Sequence, residues 1–164
     1  MSVRRRVRLY LVRHGKAVAE EVDPARPLSA AGRLEVEGVG RVLARMQVRP
    51  AAVIHSGKLR ARQTAEILAD ALGTRDTLEE GADLTPNADP RPWVARVDER
   101  PEAMLVGHLP HLGRLVARLA GAPDREELVW LDLATVVCLS RPVPPERWSI
   151  GWILTSALAR AFTD

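Results

Sequence analysis

Residues 7–15 read Val-Arg-Leu-Tyr-Leu-Val-Arg-His-Gly, and this stretch decides how the rest of the chain is interpreted. The largely apolar run over residues 7–12 is short and aliphatic, which predicts a buried strand. Arg13 and His14 follow the last apolar position directly. Open α/β sheets bind ligands at the carboxyl ends of their strands, so this polar pair marks a candidate site.

Strand-like and helix-like patterns alternate along the remaining sequence, which predicts an α/β layered fold with a largely parallel sheet. Two further buried strands are predicted over residues 51–55 and 103–107. Strands nearer the sheet edge are predicted over residues 129–140 and 148–154. The turn between these edge strands is predicted at three prolines, Pro142, Pro144 and Pro145.

Helical spacing predicts three main helices. Ser29 is expected to cap the first helix, and the second is predicted over residues 59–72. Pro110 is expected in the first turn of the third helix. The apolar face of the first helix is predicted to contain Val36, Val39, Leu43 and Met46.

The segment between the second helix and the third buried strand is less regular. Residues 73–92 are rich in Gly, Pro, Asn and Asp, which predicts mainly a loop. A short helix is expected over residues 93–99. The four tryptophans are expected to pack in the core or on edge strands, not to form a ligand cage: Trp93, Trp130, Trp148 and Trp152.

Composition narrows the class of protein. The 164 residues are most simply one domain over residues 1–164, and 46% hydrophobic with 27% charged residues indicates a globular chain. No apolar run approaches the roughly 20 residues that span a bilayer, and the N-terminal pattern does not fit a signal peptide. Cys138 is the single cysteine and is expected to be an inert core residue, so we expect a reducing, cytoplasmic location.

Charge and aromatic content bear on the partners. A net charge of +3 suits an anionic substrate. Nucleic acid is not expected as a partner, because the arginines are scattered and one tyrosine and one phenylalanine offer little for base stacking. No membrane partner is expected either.

Three polar clusters each follow a short apolar strand: Arg13-His14-Gly15, Ser56 through Arg60, and Gly107-His108. Parallel strands bring their carboxyl ends to one edge, so the clusters are expected to meet in one pocket. One histidine after a strand is more often structural, but two histidines and two arginines recurring at strand ends favour a functional site.

Such a pocket suits phosphate. Arginine presents a planar fork of donors that matches phosphate oxygens, and neutral imidazole is a competent nucleophile near pH 7. Gly15 is expected to let the backbone approach a ligand closely. Phosphoryl transfer depends mainly on positioning and charge stabilisation, which this set of residues supplies, so no metal and no cofactor is expected.

The motifs resemble the histidine phosphatase superfamily, whose fold is phosphoglycerate mutase-like. The resemblance covers about three quarters of the chain, and its shortness is similar to the SixA-like phosphohistidine phosphatase branch. It implies a three-layer α/β/α sandwich with a largely parallel central sheet. The residues that carry it are Leu11-Val12-Arg13-His14-Gly15, Arg26-Pro27-Leu28-Ser29 to Gly32, Leu59-Arg60-Ala61-Arg62-Gln63-Thr64-Ala65, Leu84-Thr85-Pro86 and Val106-Gly107-His108-Leu109-Pro110.

The resemblance also implies roles for individual residues. His14 is the expected nucleophile, which attacks phosphorus and becomes phosphorylated. The expected ligands of the phosphoryl oxygens are Arg13, Arg60 and His108, and Gly15 is included in the substrate-binding set. Gly57 departs from the family pattern, in which a proline is common. His55 and His111 are interpreted as non-catalytic.

The general acid is the least defined role. Asp83, just before Leu84-Thr85-Pro86, lies where related enzymes place an acidic proton donor. Its competitors are Glu79, Glu80, Glu20 and Asp23. An imidazole leaving group, with an ordinary pKa of about 6.5, departs without a strong acid.

Three functions stay open at this point. The leading hypothesis is a phosphohistidine phosphatase acting on a phosphorylated protein, such as a phosphorelay or phosphotransfer component. The second is a phosphomonoesterase for a small metabolite or nucleotide on the same core. The third is a catalytically silent module that binds a phosphorylated ligand.

Overall fold

The computed structural model describes residues 6–125, 128–142 and 147–163. One mixed sheet has the strand order β3-β2-β4-β1-β5-β6. Strands β3, β2, β4 and β1 are parallel neighbours, whereas β5 is antiparallel to β1 and β6 is antiparallel to β5. The six strands are β1 (Arg6–Arg13), β2 (Ala52–His55), β3 (Leu78–Glu80), β4 (Ala103–Gly107), β5 (Val136–Pro142) and β6 (Ser149–Leu154).

Helices cover both faces of this sheet. The five α-helices are α1 (Ala30–Arg45), α2 (Leu59–Leu72), α3 (Arg91–Arg96), α4 (His111–Leu119) and α5 (Ser156–Ala161). Side chains from α1, α2 and α5 form one core cluster with one face of the sheet, and those from α3 and α4 form a second with the other face. The predicted three-layer α/β/α sandwich with a largely parallel sheet is therefore confirmed.

Successive side chains along a strand point to opposite faces of the sheet, so one strand can contribute to both core clusters. In β1, Tyr10 and Val12 belong to the cluster under α1 and α2, while Leu9 and Leu11 belong to the cluster under α3 and α4. The same alternation continues through β4, which is buried at every position. A strand buried on both faces is apolar throughout, which explains the uninterrupted apolar runs in the sequence.

The first two helices begin and end for local reasons. Ser29 caps α1 as predicted, because its Oγ accepts a hydrogen bond from the Gly32 N–H at 3.0 Å. Helix α2 ends at Gly73, which adopts the left-handed conformation with φ 66°. Met46 was expected on the buried face of α1 but lies at its C-terminal cap with 45% of its surface exposed.

Several predicted boundaries were wrong. The predicted loop over 73–92 contains a 3₁₀ turn and strand β3, whose two glutamates gave no strand signal. The short helix begins at Arg91 instead of Trp93. Strand β5 begins at Val136 and not at 129, because the preceding segment includes Ala134 with φ 57°. Helix α5 was not predicted, and the predicted turn at Pro144 and Pro145 lies outside the described residues.

Among the described residues, no helix is long and apolar enough to cross a membrane. Cys138 is buried in β5, and burial raises the pKa of its thiol to about 11. A buried thiol with a raised pKa carries little thiolate, which fits the expectation of an inert core residue.

Candidate active site

The three polar clusters lie side by side at the carboxyl edge of neighbouring strands β2, β4 and β1. The ring centroids of His14 and His108 are 4.9 Å apart, with the ring planes tilted by 54°. Arg60, at the start of α2, reaches the same point and donates from Nε to Nε2 of His14 at 3.3 Å. The fold thus brings both histidines and Arg60 together from three separate strand ends.

His14 is held by both its backbone and its side chain. Its N–H donates to the Gly107 carbonyl at 3.0 Å, and its carbonyl accepts from the Ala134 N–H at 3.2 Å. The ring Nδ1 lies 2.7 Å from the Gly15 carbonyl oxygen, which can only accept, so Nδ1 carries the proton. Nε2 therefore keeps its lone pair.

The protonation state of His14 follows from its surroundings. Its pKa is lowered to about 4, mainly by burial and also by the positive charges of Arg60, Arg13 and Arg26, against the opposing effect of the hydrogen bond to Gly15. The imidazole is consequently neutral at pH 7. A neutral imidazole with its free nitrogen turned toward a guanidinium has the form that a nucleophile for an anionic phosphoryl group requires.

Arg60 and the nucleophile loop are joined by one buried hydroxyl. Thr64 Oγ1 accepts from the Gly15 N–H at 3.0 Å and donates to the Arg60 carbonyl at 2.7 Å. Because Thr64 lies one turn after Arg60 on α2, the two residues share a face of the helix. Thr64 therefore links the loop after β1 to the first turn of α2.

Arg13 reaches the site from the face of the sheet that packs against α4. Its guanidinium donates to the Leu131 carbonyl at 2.7 Å, and its backbone N–H donates to the Thr135 carbonyl at 3.1 Å. Burial lowers its pKa, while the Asp132 carboxylate opposes that change. The loop before β5 thus fixes the direction of this arginine.

His108 is buried and is hydrogen-bonded through Nε2 to Ser56 Oγ at 2.6 Å. Its Nδ1 is buried without a partner among the described residues. Burial lowers its pKa to about 3, with smaller contributions from His14, Arg60 and Lys58. His108 is therefore neutral in the free protein and carries one N–H, on Nε2 or on Nδ1, since Ser56 Oγ can either accept from Nε2 or donate to it.

Glycine is required at position 15 by close packing against α1, which the sequence did not indicate. A Cβ at this position would lie 2.6 Å from Val36 Cγ2 of α1 and 3.2 Å from the Gly32 carbonyl oxygen. The missing side chain therefore lets α1 pack against the nucleophile loop. A role for Gly15 in substrate binding stays a prediction.

Asp83 forms an ion pair with Arg96 of α3 at 2.9 Å. The negative charge of Asp83 raises the pKa of buried His111, but burial lowers that pKa by more. Among the competing carboxylates, Glu79 pairs with Arg100 at 2.8 Å, and the Glu80 carboxylate lies against Gly57. The partner of Asp83, Arg96, is not one of the residues around His14 and His108. The role of Asp83 as the general acid thus stays a prediction.

Two other acidic candidates, Glu20 and Asp23, lie in the loop between β1 and α1. Glu20 is exposed, and Asp23 Oδ1 accepts from the Ala25 N–H at 2.9 Å, which shapes the loop. The structure gives neither carboxylate a contact with His14 or His108.

The two remaining histidines are both buried. His55 Nδ1 accepts from the Gly57 N–H at 3.1 Å, which shapes the turn after β2. His111, the first residue of α4, has no exposed surface, and neither ring nitrogen has a partner in the described part of the chain. Gly57 has φ 83°, which proline cannot adopt, so this loop differs in conformation from one that carries the family's proline.

The tryptophans divide between core and surface. Trp93 and Trp148 are buried, and Trp152 lies on β6 with its ring centroid 6.1 Å from that of Tyr10. Trp130 is 68% exposed, and its indole N–H donates to Asp132 Oδ1 at 2.7 Å. The expectation of packing or an edge strand was therefore wrong for Trp130, which is exposed and lies before β5 begins. It directly precedes Leu131, whose carbonyl accepts from Arg13.

Two residues that are hydrogen-bonded to site residues were not singled out from the sequence as functional: Ser56 and Thr64. Ser56 belongs to the second cluster, and Thr64 is four residues from Arg60, which is a usable signal on a helix. Among the described residues, no group of three or more His, Cys, Asp or Glu side chains is placed to hold a metal ion.

Comparisons with known proteins agree with this geometry. The model of the histidine phosphatase superfamily (branch 1) matches residues 9–84, which include the first two clusters. An uncharacterised protein of Picosynechococcus is 37% identical over 122 residues, covering 68% of this chain and 72% of that protein.

Solved structures extend the likeness to the whole fold. The protein histidine phosphatase SixA, complexed with tungstate, has a TM-score of 0.78 and 26% identity, covering 92% of this chain and 97% of that one. A mycobacterial glucosyl-3-phosphoglycerate phosphatase shares the fold, with a TM-score of 0.67 and 18% identity over 90% of this chain and 98% of its own. The chain belongs to the histidine phosphatase superfamily and is a phosphatase.

Proposed function

We propose that the protein removes a phosphoryl group through a covalent intermediate on His14. The observation that carries the proposal is the hydrogen bond from Nδ1–H of His14 to the Gly15 carbonyl. It leaves Nε2 unprotonated beside Arg60, and the pKa of about 4 keeps the ring neutral at pH 7. Nucleophilic catalysis by histidine needs this tautomer and this charge state.

The reaction has two steps. Nε2 of His14 attacks phosphorus while the bond from phosphorus to the leaving nitrogen or oxygen breaks, and the leaving group takes up a proton. Water then attacks the phosphohistidine, the P–N bond breaks, and inorganic phosphate leaves with His14 restored. The N–H groups of Arg13, Arg60 and His108 stabilise the charge on the oxygens, so the proposed mechanism uses no metal.

For the substrate we propose a phosphohistidine of a protein. A leaving imidazole needs little help from an acid, which suits a site whose candidate acid Asp83 is paired with Arg96. Exposed Trp130 beside the loop that holds Arg13 offers an aromatic contact of the kind that is enriched at protein interfaces. The 26% identity to SixA over nearly the whole chain supports the same choice.

A trapping experiment tests the covalent step. The protein is incubated with phosphoramidate, a small N-phosphoryl donor, and quenched in alkali. We expect an alkali-stable, acid-labile phosphoryl group on the wild type and on His55→Gln, and none on His14→Ala. Full turnover by His14→Ala would show that the mechanism is wrong.

A separate assay tests the substrate. Phosphohistidine protein, p-nitrophenyl phosphate and nucleotides are compared at equal enzyme concentration, with and without a chelator. We expect the phosphohistidine protein to have the highest kcat/KM. We expect Trp130→Ala to lower kcat/KM for that protein and to leave kcat/KM for p-nitrophenyl phosphate and nucleotides unchanged. A large preference for a metabolite or nucleotide would favour a phosphomonoesterase, and binding without turnover of any substrate would indicate a silent module.

A further inference from the structure

The hydroxyl of Thr64 is hydrogen-bonded on both sides. Its Oγ1 accepts from the Gly15 N–H at 3.0 Å and donates to the Arg60 carbonyl at 2.7 Å. An amide N–H can only donate and a carbonyl can only accept, so the hydroxyl proton points to Arg60 and a lone pair points to Gly15. Thr64 has no exposed surface, so water does not replace it in either hydrogen bond.

Both partners of Thr64 also contact the nucleophile. The Gly15 carbonyl oxygen lies 2.7 Å from Nδ1 of His14, and Nε of Arg60 donates to Nε2 of the same ring at 3.3 Å. One buried hydroxyl is therefore connected to both ring nitrogens of His14, with one residue between them on each side. The Gly15 contact keeps the proton on Nδ1, and the Arg60 contact lies at the nitrogen that attacks phosphorus.

The proton on Nδ1 is needed in both steps of the proposed reaction. When the Nε2 lone pair bonds to phosphorus and the bond to the leaving group breaks, the ring becomes positively charged and Nδ1–H shares that charge. When water attacks phosphorus and gives up a proton, the P–N electron pair returns to Nε2 and the ring leaves as neutral imidazole. Without the proton on Nδ1, the ring would have to leave as an anion, which is a far poorer leaving group.

We propose that Thr64 is a positioning residue for the phosphohistidine intermediate. By holding Gly15, it keeps Nδ1 of His14 protonated while Nε2 carries the phosphoryl group, and it thereby sets the rate at which the intermediate is hydrolysed. The inference deepens the proposed function and rests on its covalent step. Without the hydroxyl, the Gly15 N–H would be buried without a partner, and a shift of the loop that relieves this would also displace the Gly15 carbonyl.

The test compares two substitutions of Thr64 with the same substitution at another threonine. Thr64→Val removes the hydroxyl and keeps the side-chain shape, whereas Thr64→Ser keeps the hydroxyl. The control is Thr74→Val, at a threonine after α2 whose buried Oγ1 has no hydrogen-bond partner in the described part of the chain. Thr64→Ala serves as a second variant without the hydroxyl if thermal unfolding shows that Thr64→Val does not fold.

The measured quantity is the rate at which the phosphorylated protein loses its phosphoryl group. Each variant is phosphorylated with phosphoramidate, separated from the donor, and followed between about pH 6 and pH 9. Loss of one buried hydrogen bond corresponds to about 10-fold. We expect hydrolysis by Thr64→Val to be slower by about that factor at about pH 8, and hydrolysis by Thr64→Ser and Thr74→Val to be within twofold of the wild type.

The pH profile separates this role from a merely structural one. The Gly15 carbonyl favours the protonated ring, so a weaker contact lowers the pKa of Nδ1–H in the intermediate. Hydrolysis by Thr64→Val should therefore begin to fall at a lower pH than hydrolysis by the wild type. A rate that is reduced equally at every pH, or one within twofold of the wild type throughout, would overturn the proposal.

Nuclear magnetic resonance of the free protein keeps this proposal apart from the covalent mechanism. Two-bond ¹H–¹⁵N correlation spectra of protein labelled at histidine show which ring nitrogen of His14 carries the proton, with no phosphoryl donor present. We expect the Nδ1–H form alone in the wild type and in Thr64→Ser, and both forms in Thr64→Val. If no phosphoprotein can be trapped, the covalent mechanism fails; if Thr64→Val keeps the Nδ1–H form alone, the role of Thr64 is refuted.

Discussion

The parallel and the antiparallel parts of the sheet contribute to the site in different ways. Strands β1, β2 and β4 are parallel, and each ends in side chains of the site: Arg13 with His14, Ser56, and His108. Antiparallel β5 contributes through backbone, since the carbonyls of Leu131 and Thr135 before it hold Arg13. In the described structure, β6 at the sheet edge makes no contact with these side chains.

This difference follows from strand direction. Parallel strands bring their carboxyl ends, and the helices that follow them, to one edge, so α2 can add Arg60 beside His14. An antiparallel strand presents its amino end at the same edge, and the loop that leads into it supplies main-chain acceptors. The parallel part therefore supplies the reactive groups, and the antiparallel part orients one of them.

The largest expected effect is on the parallel side, in a matched pair on α2. Arg60→Met removes the guanidinium that contacts His14, whereas Arg62→Met removes an exposed partner of Glu66 two residues later. Loss of one preorganised donor costs about 10²–10³-fold in turnover. Steady-state kinetics should show that loss in kcat/KM for Arg60→Met and a change within twofold for Arg62→Met.

The pH profile of the same pair sharpens this result. The Arg60 charge lowers the pKa of His14, so its removal should raise that pKa toward 6.5 and shift the acid limb to higher pH. Arg62→Met should leave the limb in place. Equal losses in both variants would indicate damage to α2 and would remove the distinction between the two arginines.

The parallel part was also the easier part to predict from sequence. Helix α2 (Leu59–Leu72) and strand β4 (Ala103–Gly107) have the predicted bounds, because their apolar patterns are strong and local. His14, Arg60 and His108 were found because each lies in a short motif after a strand. Their convergence follows from parallel topology, which the alternation of strands and helices already indicates.

What could not be predicted depends on contacts distant in sequence. Strand β3 exists because β2 pairs with it, and its own sequence, Leu-Glu-Glu, has little strand tendency. The start of β5 depends on a left-handed residue, Ala134, in the loop before it. The loop between β1 and α1 closes through a bridge of Ala17 with Leu28, which no periodic pattern indicates.

The next largest expected effect is on the pH dependence of stability, through His111, the fully buried first residue of α4. Burial lowers its pKa to about 4, more than Asp83 and Asp89 raise it. Since the unfolded chain binds this proton below about pH 6.5 and the folded chain does not, His111 reduces stability as pH falls from about 6.5 to 4. His111→Leu removes that loss.

Chemical denaturation at two pH values tests this sign. Each pH unit below 6.5 corresponds to about 1.4 kcal/mol for such a group, so His111→Leu should gain about 2 kcal/mol more at pH 5 than at pH 7.5, relative to wild type. His14 and His108 titrate in both proteins and largely cancel. A gain that is equal at both pH values would mean that His111 keeps an ordinary pKa.

A smaller effect is expected at Gly57, in the turn after β2. Its φ of 83° disfavours any side chain, and a Cβ would lie 2.5 Å from Glu80 Oε1. Glu80 is exposed and can move, so Gly57→Ala should lose about 1–2 kcal/mol, mainly from the backbone. Urea unfolding measures this loss, and Gly57→Ala combined with Glu80→Ala should lose no less if the backbone dominates.

The smallest effect is expected at the antiparallel edge. Ile153 on β6 is 37% exposed and lines an apolar groove with Leu158 and Phe162, away from the site. Ile153→Thr keeps a β-branched residue on the strand, so the free energy of unfolding should change by about 0.5 kcal/mol or less, and kcat/KM by less than twofold. A clear drop in kcat/KM with unchanged unfolding would show that β6 acts on the site through β5, and the division between the two parts of the sheet would then have to be abandoned.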